Sequence, residues 1–238
     1  MLKRILTSPL VLSRLRKWEA FKTYHLSDPN NPVTENNHLS ERGMLSQAFA
    51  ITNLNQVNGD YFEFGLFRGR TFVHAWTLKR DSARDMHLWG FDSFEGLPEV
   101  KPREDEIWQT GQYACSVDTF RSIIAAKGMQ PHEYTLVPGF FDRSLNEQQH
   151  QNMAGRKAAI VYIDCDLYES TVPVLAFIER YLQTGTVVCF DDFYCYRGAP
   201  DQGEQRALAE FLDRHPDIKF NRYLTYGVAG QSFMVYRI

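Results

Sequence analysis

The sequence predicts an α/β fold, with a mostly parallel central sheet and helices on both of its faces. Short apolar segments alternate with longer stretches of helical periodicity along most of the 238 residues, as in a parallel sheet built through helical crossovers. The apolar segments are nearly continuous, which is typical of strands buried on both faces. Several of them end on an acidic residue or a glycine, at the edge where ligands bind in sheets of this kind.

Composition suits one globular domain with a sizeable core and excludes several classes of protein. The chain has 26 basic and 29 acidic residues and a net charge of -3, so its charge gives no electrostatic sign of nucleic-acid binding. The four cysteines form no CxxC pair, and we expect small buried thiols in a reducing, cytoplasmic protein. No apolar run is long enough to predict a transmembrane helix.

Residues 1–37 are predicted to form an N-terminal helical extension, and residues 38–238 the main domain. Leucines and basic residues alternate near the N-terminus, which predicts a basic amphipathic helix. We expect this helix to pack on its own domain or on a second copy, so the protein is expected to be a homo-oligomer. Contact with an anionic membrane surface is the alternative.

The predicted elements follow in chain order. A helix over 38–55 precedes the sheet. The predicted buried strands are 60–65, 88–92, 135–139, 158–164 and 186–191, and the other predicted helices are 72–79, 117–127, 171–182 and 202–214. Two further segments, 219–225 and 231–237, alternate enough to predict antiparallel strands that close the sheet.

The first two strands end on residues that could bind a nucleoside cofactor. Glu63 begins a turn with two glycines, and glycine allows both a sharp bend and a close ligand approach. The turn lacks the GxGxxG spacing that favours a pyrophosphate, and its acid suits a cationic amino-acid group, as in S-adenosylmethionine, although Glu63 could instead cap the turn or pair with Arg68. Asp92 could bind both hydroxyls of a ribose, as it would in NAD, or cap the next segment.

Four aspartates follow two later strands and predict a metal site. Asp164 and Asp166 leave one strand, and Asp191 and Asp192 leave the next. Adjacent parallel strands would bring these carboxylates together, where they repel one another unless a cation neutralises them. Oxygen ligands favour Mg²⁺, Mn²⁺ or Ca²⁺, and no His/Cys cluster has zinc spacing. Capping of helices would explain one such aspartate but not four.

Five motifs together resemble the macrocin O-methyltransferase family. They are Glu63–Gly69 (EFGLFRG), Phe91–Pro98 (FDSFEGLP), Val137–Phe141 (VPGFF), Asp164–Thr171 (DCDLYEST) and Asp191–Phe193 (DDF). The resemblance covers about residues 57–212. It implies a Rossmann-like class I methyltransferase fold, S-adenosylmethionine as the methyl donor, Mg²⁺ (or Mn²⁺) as the metal and a sugar hydroxyl as the acceptor.

The resemblance also implies roles for individual residues. Asp166 would be the general base, and the other groups would be metal ligands (Asp164, Asp191, Asp192) and cofactor-binding residues (Glu63, Gly65, Asp92, Ser93). The sequence departs from the family pattern at Phe193, where tyrosine is usual, and at Arg68–Arg70, which replaces a more glycine-rich turn.

Other functions stay open at this point. A catechol-like phenol could replace the sugar, because vicinal hydroxyls chelate a metal in both. An NAD-dependent sugar-modifying enzyme fits the turn sequence and the extra carboxylates less well, and a metal-binding module without turnover is a third class. Residues 98–117 contain Trp108 and Tyr113 and could be either a lid over the acceptor or a surface loop.

Overall fold

A seven-stranded mixed sheet organises the molecule in a computed structural model that describes residues 39–82, 84–101 and 107–237. The strand order is β3-β2-β1-β4-β5-β7-β6. The strands are β1 (Asp60–Phe64), β2 (Leu88–Asp92), β3 (Tyr134–Pro138), β4 (Ala158–Ile163), β5 (Val187–Phe190), β6 (Ile218–Tyr226) and β7 (Gly230–Arg237). The first five pair in parallel, and β7 pairs antiparallel with both β5 and β6. The predicted fold class and the antiparallel C-terminal strands are confirmed.

Helices connect the parallel strands. They are α1 (Glu41–Leu54), α2 (Arg70–Asp81), α3 (Val117–Ala126), α4 (Phe141–Ser144), α5 (Glu147–Asn152), α6 (Tyr168–Ile178) and α7 (Gly203–Arg214). The side chain of Ser40 caps α1 by accepting from the backbone N–H of Gly43 at 3.1 Å, which satisfies one of the free donors of the first turn. Among the described residues, no helix has both the length and the apolar character needed to cross a membrane.

Two hydrophobic clusters, one on each face of the sheet, pack the strands against the helices. One contains Phe62 and Phe64 of β1, and the other contains Tyr61 of the same strand. Alternate residues of β1 therefore face opposite sides, and all five residues of the strand are buried. Burial on both faces explains why the strand is apolar along most of its length.

The register of the sheet brings the predicted site residues to one edge. Phe64 pairs with Phe91 in β2 and with Ile163 in β4, and Ile163 pairs in turn with Phe190 of β5. The residues directly after these four positions begin the segments that the sequence analysis singled out. They therefore lie side by side at the carboxyl edge of neighbouring parallel strands, which is where such sheets bind ligands.

Several boundaries differ from the predictions. Helix α6 begins at Tyr168 and not at Thr171, and it includes Pro173 in its second turn. Short helices α4 and α5 were not predicted. The N-terminal extension falls on residues outside the described ranges, so it stays a prediction. The four cysteines are free, and three of them (Cys115, Cys165, Cys189) are buried as expected, whereas Cys195 is partly exposed.

Candidate functional site

A cavity of about 1130 Å³ opens at the carboxyl edge of the sheet. The loops after β1, β2, β3, β4 and β5 all contribute to its walls, and so does the turn between β6 and β7. Seven of the eight residues predicted to act in the site line this cavity (Gly65, Asp92, Ser93, Asp164, Asp166, Asp191, Asp192), and Glu63 does not. The volume is large enough for two small molecules side by side.

The turn after β1 requires glycine at its first position. Gly65 has φ +87°, and a Cβ atom there would lie 1.7 Å from the carbonyl oxygen of Asp164. Its N–H donates to the carbonyl of Phe91 at 2.9 Å. Only a residue without a side chain allows the backbones after β1 and β4 to approach this closely. Gly65 therefore brings the turn after β1 next to Asp164.

Asp92 holds this turn with its carboxylate. Oδ2 accepts from the backbone N–H groups of Leu66 at 2.6 Å and Phe67 at 3.2 Å, and Oδ1 accepts from Phe94 at 2.6 Å. Burial raises the pKa of Asp92 although these hydrogen bonds act to lower it. The next residue, Ser93, donates to the carbonyl of Gly96 at 2.7 Å. Asp92 and Ser93 both line the cavity while shaping its wall.

Glu63 lies below the turn, and protein hydroxyl groups take both of its carboxylate oxygens. Thr71 donates to Oε1 at 2.6 Å, and Tyr61 donates to Oε2. Burial raises the pKa of Glu63 to about 8, against the hydrogen bonds from Thr71 and Tyr61. The side chain is fully buried and does not line the cavity. Its predicted role in cofactor binding stays a prediction.

Three carboxylates converge at the other end of the cavity. Asp164, Asp166 and Asp192 each offer an oxygen, and these atoms all lie within 4.8 Å of one another. Asp166 is buried, and the other two are partly buried. Burial, followed by the charges of Asp191 and Asp192, raises the pKa of Asp164. Burial, followed by the charges of Asp192 and Asp164, raises the pKa of Asp166. Such mutual repulsion is what a bound hard cation removes.

Asp191 lies beside this group with a different partner. Its Oδ1 accepts from the hydroxyl of Tyr162 at 2.6 Å. Arg70, which pairs with Glu41 at 3.3 Å, lies near enough that its charge lowers the pKa of Asp191 against the dominant effect of burial. The structure thus brings together Asp164, Asp166 and Asp192, whereas Asp191 lines the cavity next to them and is bonded to Tyr162.

The backbone at Asp166 adopts a conformation that favours a functional role. Its φ is +63°, and the N–H of Leu167 donates to the carbonyl of Cys165 at 2.6 Å. These features describe a γ-turn with positive φ, which is rare and strained. The hydroxyl of Tyr196 donates to the carbonyl of Asp166 at 3.0 Å. Strain of this kind persists only where the surroundings hold it, and it is concentrated at active sites.

Glu204 is a site residue that the sequence analysis missed. It lies in the first turn of α7, is buried, and accepts from the backbone N–H of Asp192 at 3.1 Å through Oε2. Burial, followed by the charge of Asp192, raises the pKa of Glu204. A glutamate in the first turn of a helix is ordinary in sequence, because it favours the helix dipole. What distinguishes this one is its burial and its hydrogen bond to Asp192, just after β5.

Comparisons with known proteins identify the family to which the chain is similar. Residues 40–215 match the macrocin-O-methyltransferase (TylF) family. The chain is 27% identical to mycinamicin III 3''-O-methyltransferase of Micromonospora griseorubida over 67% of this chain and 62% of that protein. It is 30% identical to the 4'-O-methyltransferase of 8-demethyl-8-(2,3-dimethoxy-alpha-L-rhamnosyl)-tetracenomycin-C from Streptomyces olivaceus, over 58% of this chain and 54% of that protein. The matched region thus spans less than two thirds of the length of either relative.

Solved structures show the same fold. The O-methyltransferase NovP superposes with a TM-score of 0.68 at 19% identity, covering 93% of this chain and 98% of that chain. The calicheamicin methyltransferase CalS11 superposes with a TM-score of 0.63 at 22% identity, covering 95% of this chain and 93% of that chain. The neighbours share the Rossmann-like methyltransferase fold that the sequence analysis expected. The family match spans more than half of the sequence, and the chain therefore belongs to the macrocin-O-methyltransferase (TylF) family.

Proposed function

We propose that this protein transfers a methyl group from S-adenosylmethionine to a hydroxyl group of a sugar, with a divalent cation bound at the aspartates. One observation carries the proposal. The oxygens of Asp164, Asp166 and Asp192 lie within 4.8 Å of one another at the border of a cavity of about 1130 Å³, and the loop around Gly65 and Asp92 forms another part of the same wall. The cavity thus joins a candidate donor site to a candidate acceptor site.

The relatives support a sugar as the acceptor. The first is named for methylation of the 3'' hydroxyl of mycinamicin III, and the second for methylation at the 4' position of a compound bearing an α-L-rhamnosyl group. These acceptors are those of the two relatives. For this chain we propose a glycoside as the acceptor, with an oxygen substituent on the carbon next to the reacting hydroxyl group, as the 2,3-dimethoxy sugar of the second relative has.

The carboxylates fit a hard divalent cation. We propose that Asp164, Asp191 and Asp192 hold Mg²⁺ or Mn²⁺, with the hydrogen bond from Tyr162 orienting Asp191. An all-oxygen set of this kind suits these ions. When bound, the cation would lower the pKa of the acceptor hydroxyl and neutralise the repulsion among the aspartates.

Asp166 is the proposed general base. Its γ-turn directs the residue out of the line of β4, and Tyr196 holds its backbone carbonyl. Burial beside two other carboxylates makes Asp166 a better proton acceptor than an exposed aspartate. The proton of the acceptor hydroxyl would move to a carboxylate oxygen of Asp166, and the fixed backbone would keep that oxygen in position.

The donor would occupy the wall formed by Gly65, Asp92 and Ser93. Its sulfonium supplies an electrophilic methyl group. Gly65 leaves room for close approach, and Asp92 preorganises the turn through three backbone N–H groups. We keep Glu63 in the proposed donor site, where its carboxylate would act from beneath the turn through Thr71, which lines the cavity.

Calorimetry and methyl transfer test this proposal together. Wild type should bind S-adenosylhomocysteine and not NAD, and should methylate methyl α-L-rhamnopyranoside in Mg²⁺ but not in excess chelator. Asp166→Asn should keep metal and cofactor binding and lose about 10²- to 10⁴-fold in turnover, whereas Asp164→Ala should weaken metal binding itself. Asp81→Asn, at an exposed position outside the cavity lining, is the matched control and should behave as wild type.

Other outcomes would reject particular parts of the proposal. Full turnover in chelator would remove the metal, and full turnover in Asp166→Asn would remove the base. Methylation of a catechol but of no glycoside would replace the acceptor class. Binding of the cation without binding of S-adenosylhomocysteine would favour a metal-binding module without turnover.

A further inference from the structure

Three aromatic side chains line one side of the cavity in a continuous row. Phe67 and Tyr113 have ring centroids 5.5 Å apart at 70°, and Tyr113 and Trp108 have centroids 6.3 Å apart at 63°. All three residues line the cavity. We refer to Phe67, Trp108 and Tyr113 as the aromatic wall. Its edge-to-face contacts are favourable for aromatic rings, so the row forms one surface.

The aromatic wall extends from the turn after β1 to the aspartates. Phe67 belongs to the turn that Asp92 holds. At the middle of the wall, Tyr113 lies close enough to the aspartates that their charges, led by that of Asp166, raise its pKa beyond the effect of burial. The wall therefore borders both the proposed donor site and the proposed acceptor site.

Trp108 is anchored to the segment that carries the proposed base. It forms a small buried cluster with Leu167 and Tyr196. Leu167 directly follows Asp166, and Tyr196 donates to the carbonyl of Asp166. A ligand that contacts Trp108 is thereby placed at a fixed distance from Asp166.

The indole N–H of Trp108 has no hydrogen-bond acceptor among the residues that the structure describes, although the nitrogen is buried. The other two tryptophans in the described ranges differ. Trp76 donates to Glu133 at 2.8 Å, and Trp89 donates to Asp60 at 3.0 Å. An unsatisfied buried donor is costly, and buried tryptophans usually have a partner for this group. Because Trp108 also lines the cavity, this N–H is a candidate donor to an oxygen of a ligand.

We propose that the aromatic wall binds the acceptor sugar and that Trp108 selects its orientation. The apolar C–H face of the pyranose would pack on the ring of Tyr113. The indole N–H of Trp108 would donate to a sugar oxygen that is not methylated, which fixes which hydroxyl reaches Asp166. This inference rests on the proposed function and adds the residues that recognise the acceptor. A mainly apolar surface with a few placed polar groups is the usual form of such specificity.

Trp108→Phe tests the hydrogen bond, because it removes the N–H and keeps an aromatic ring. With methyl α-L-rhamnopyranoside as the probe, we expect the KM for the glycoside to rise about tenfold. The affinity for S-adenosylhomocysteine, measured by calorimetry, should not change. Nuclear magnetic resonance of the product should show methylation spread over more than one hydroxyl. Trp76→Phe is the matched control, since Trp76 is remote from the cavity lining, and it should retain the wild-type KM and product.

Tyr113→Leu tests the packing surface separately. Tyr113 has an exposed fraction of 37%, so the substitution should leave the fold intact and raise the KM for the glycoside. A second readout, tryptophan fluorescence titrated with the glycoside in the presence of S-adenosylhomocysteine, does not need turnover. The change in fluorescence should be present in wild type and Trp76→Phe and absent in Trp108→Phe.

The two readouts separate failure of this inference from failure of the proposed function. Wild-type KM, product and fluorescence response in Trp108→Phe would overturn the role of Trp108. Glycoside binding that depends on Trp108 without methyl transfer would overturn the proposed function and keep the aromatic wall. Absence of glycoside binding to wild type in both readouts would overturn the wall as a sugar site.

Discussion

The acidic residues at the carboxyl edge of the sheet form two groups that differ in how the protein treats their charge. At the proposed donor end, Asp92 accepts from three backbone N–H groups and Glu63 from two hydroxyl groups. At the proposed metal end, oxygens of Asp164, Asp166 and Asp192 lie within 4.8 Å of one another. Carboxylates of the first group accept from protein donors. In the second group, burial and then the charges of neighbouring carboxylates raise the pKa of Asp164 and Asp166, and Asp192 accepts from the thiol of Cys195 at 3.2 Å.

The different surroundings of the two groups of carboxylates indicate different roles. A carboxylate that is saturated with protein donors shapes the backbone around it, as Asp92 does for the turn after β1. A crowded group stores repulsion that a bound cation would relieve. We therefore expect Asp92, which accepts from three backbone N–H groups, and Asp192, which lies in the crowded group, to respond in opposite directions to the removal of one negative charge.

The substitution Glu63→Gln has the largest expected effect. It tests whether two hydroxyl donors stabilise a buried negative charge as well as backbone N–H groups do. The pKa of Glu63 is raised from 4.5 to about 8, so the folded state favours the protonated form. The stabilising contribution is complete below the unfolded pKa and is lost as pH rises through the folded pKa. Between pH 5 and 9 the free energy of unfolding of wild type should fall relative to that of Glu63→Gln, by about 4 kcal/mol at most.

Urea unfolding at several pH values measures this difference directly. Glu147→Gln is the control, because Glu147 is exposed and pairs with Arg180 at the surface. A constant difference between wild type and Glu63→Gln across this pH range would mean that Glu63 remains ionised in the folded protein. Glu63 would then accept both hydroxyl hydrogen bonds as a carboxylate.

Asp92→Asn should destabilise the protein by about 2 kcal/mol, with or without Mg²⁺. The amide can accept through only one atom, so at least one of the N–H groups of Leu66, Phe67 and Phe94 would lose its acceptor. Thermal unfolding in chelator and in Mg²⁺ gives the comparison. Asp142→Asn should stay within about 0.5 kcal/mol of wild type. An effect of Asp92→Asn that disappears in Mg²⁺ would place Asp92 in the metal group instead.

Some features of the fold and of these two groups could be predicted from the sequence, and others could not. Alternation of apolar segments and helical periods was enough to predict the parallel strands, because burial on both faces constrains every residue of a strand such as β1. The convergence of Asp164, Asp166, Asp191 and Asp192 was predicted on the assumption that β4 and β5 are neighbours. Three of these aspartates do converge, and Asp191 lies beside them. Strand order, by contrast, depends on long-range packing, and the sequence pattern was silent on the position of β7 between β5 and β6.

Other features of the site were beyond sequence reasoning for physical reasons. Which oxygens of Asp92 and Glu63 are taken by protein donors depends on side-chain geometry of a few ångströms. Glu204 acts on Asp192 across 12 positions of sequence, and nothing local separates it from an ordinary first-turn glutamate. Asp191 and Asp192 are adjacent in sequence, yet one is bonded to Tyr162 and the other joins the crowded group.

Asp192→Asn should have the smallest effect and the opposite sign. In chelator, removing one of the crowded negative charges should stabilise the protein by about 1 kcal/mol, because less repulsion remains, and the melting temperature should rise by about 2–4 °C. In Mg²⁺ the order should reverse, since wild type gains stability from the bound cation and the variant gains less. Differential scanning calorimetry in both buffers measures the crossing. A melting temperature below that of wild type in chelator would show that the protein alone satisfies Asp192, and the contrast between the two groups of acids would then fail.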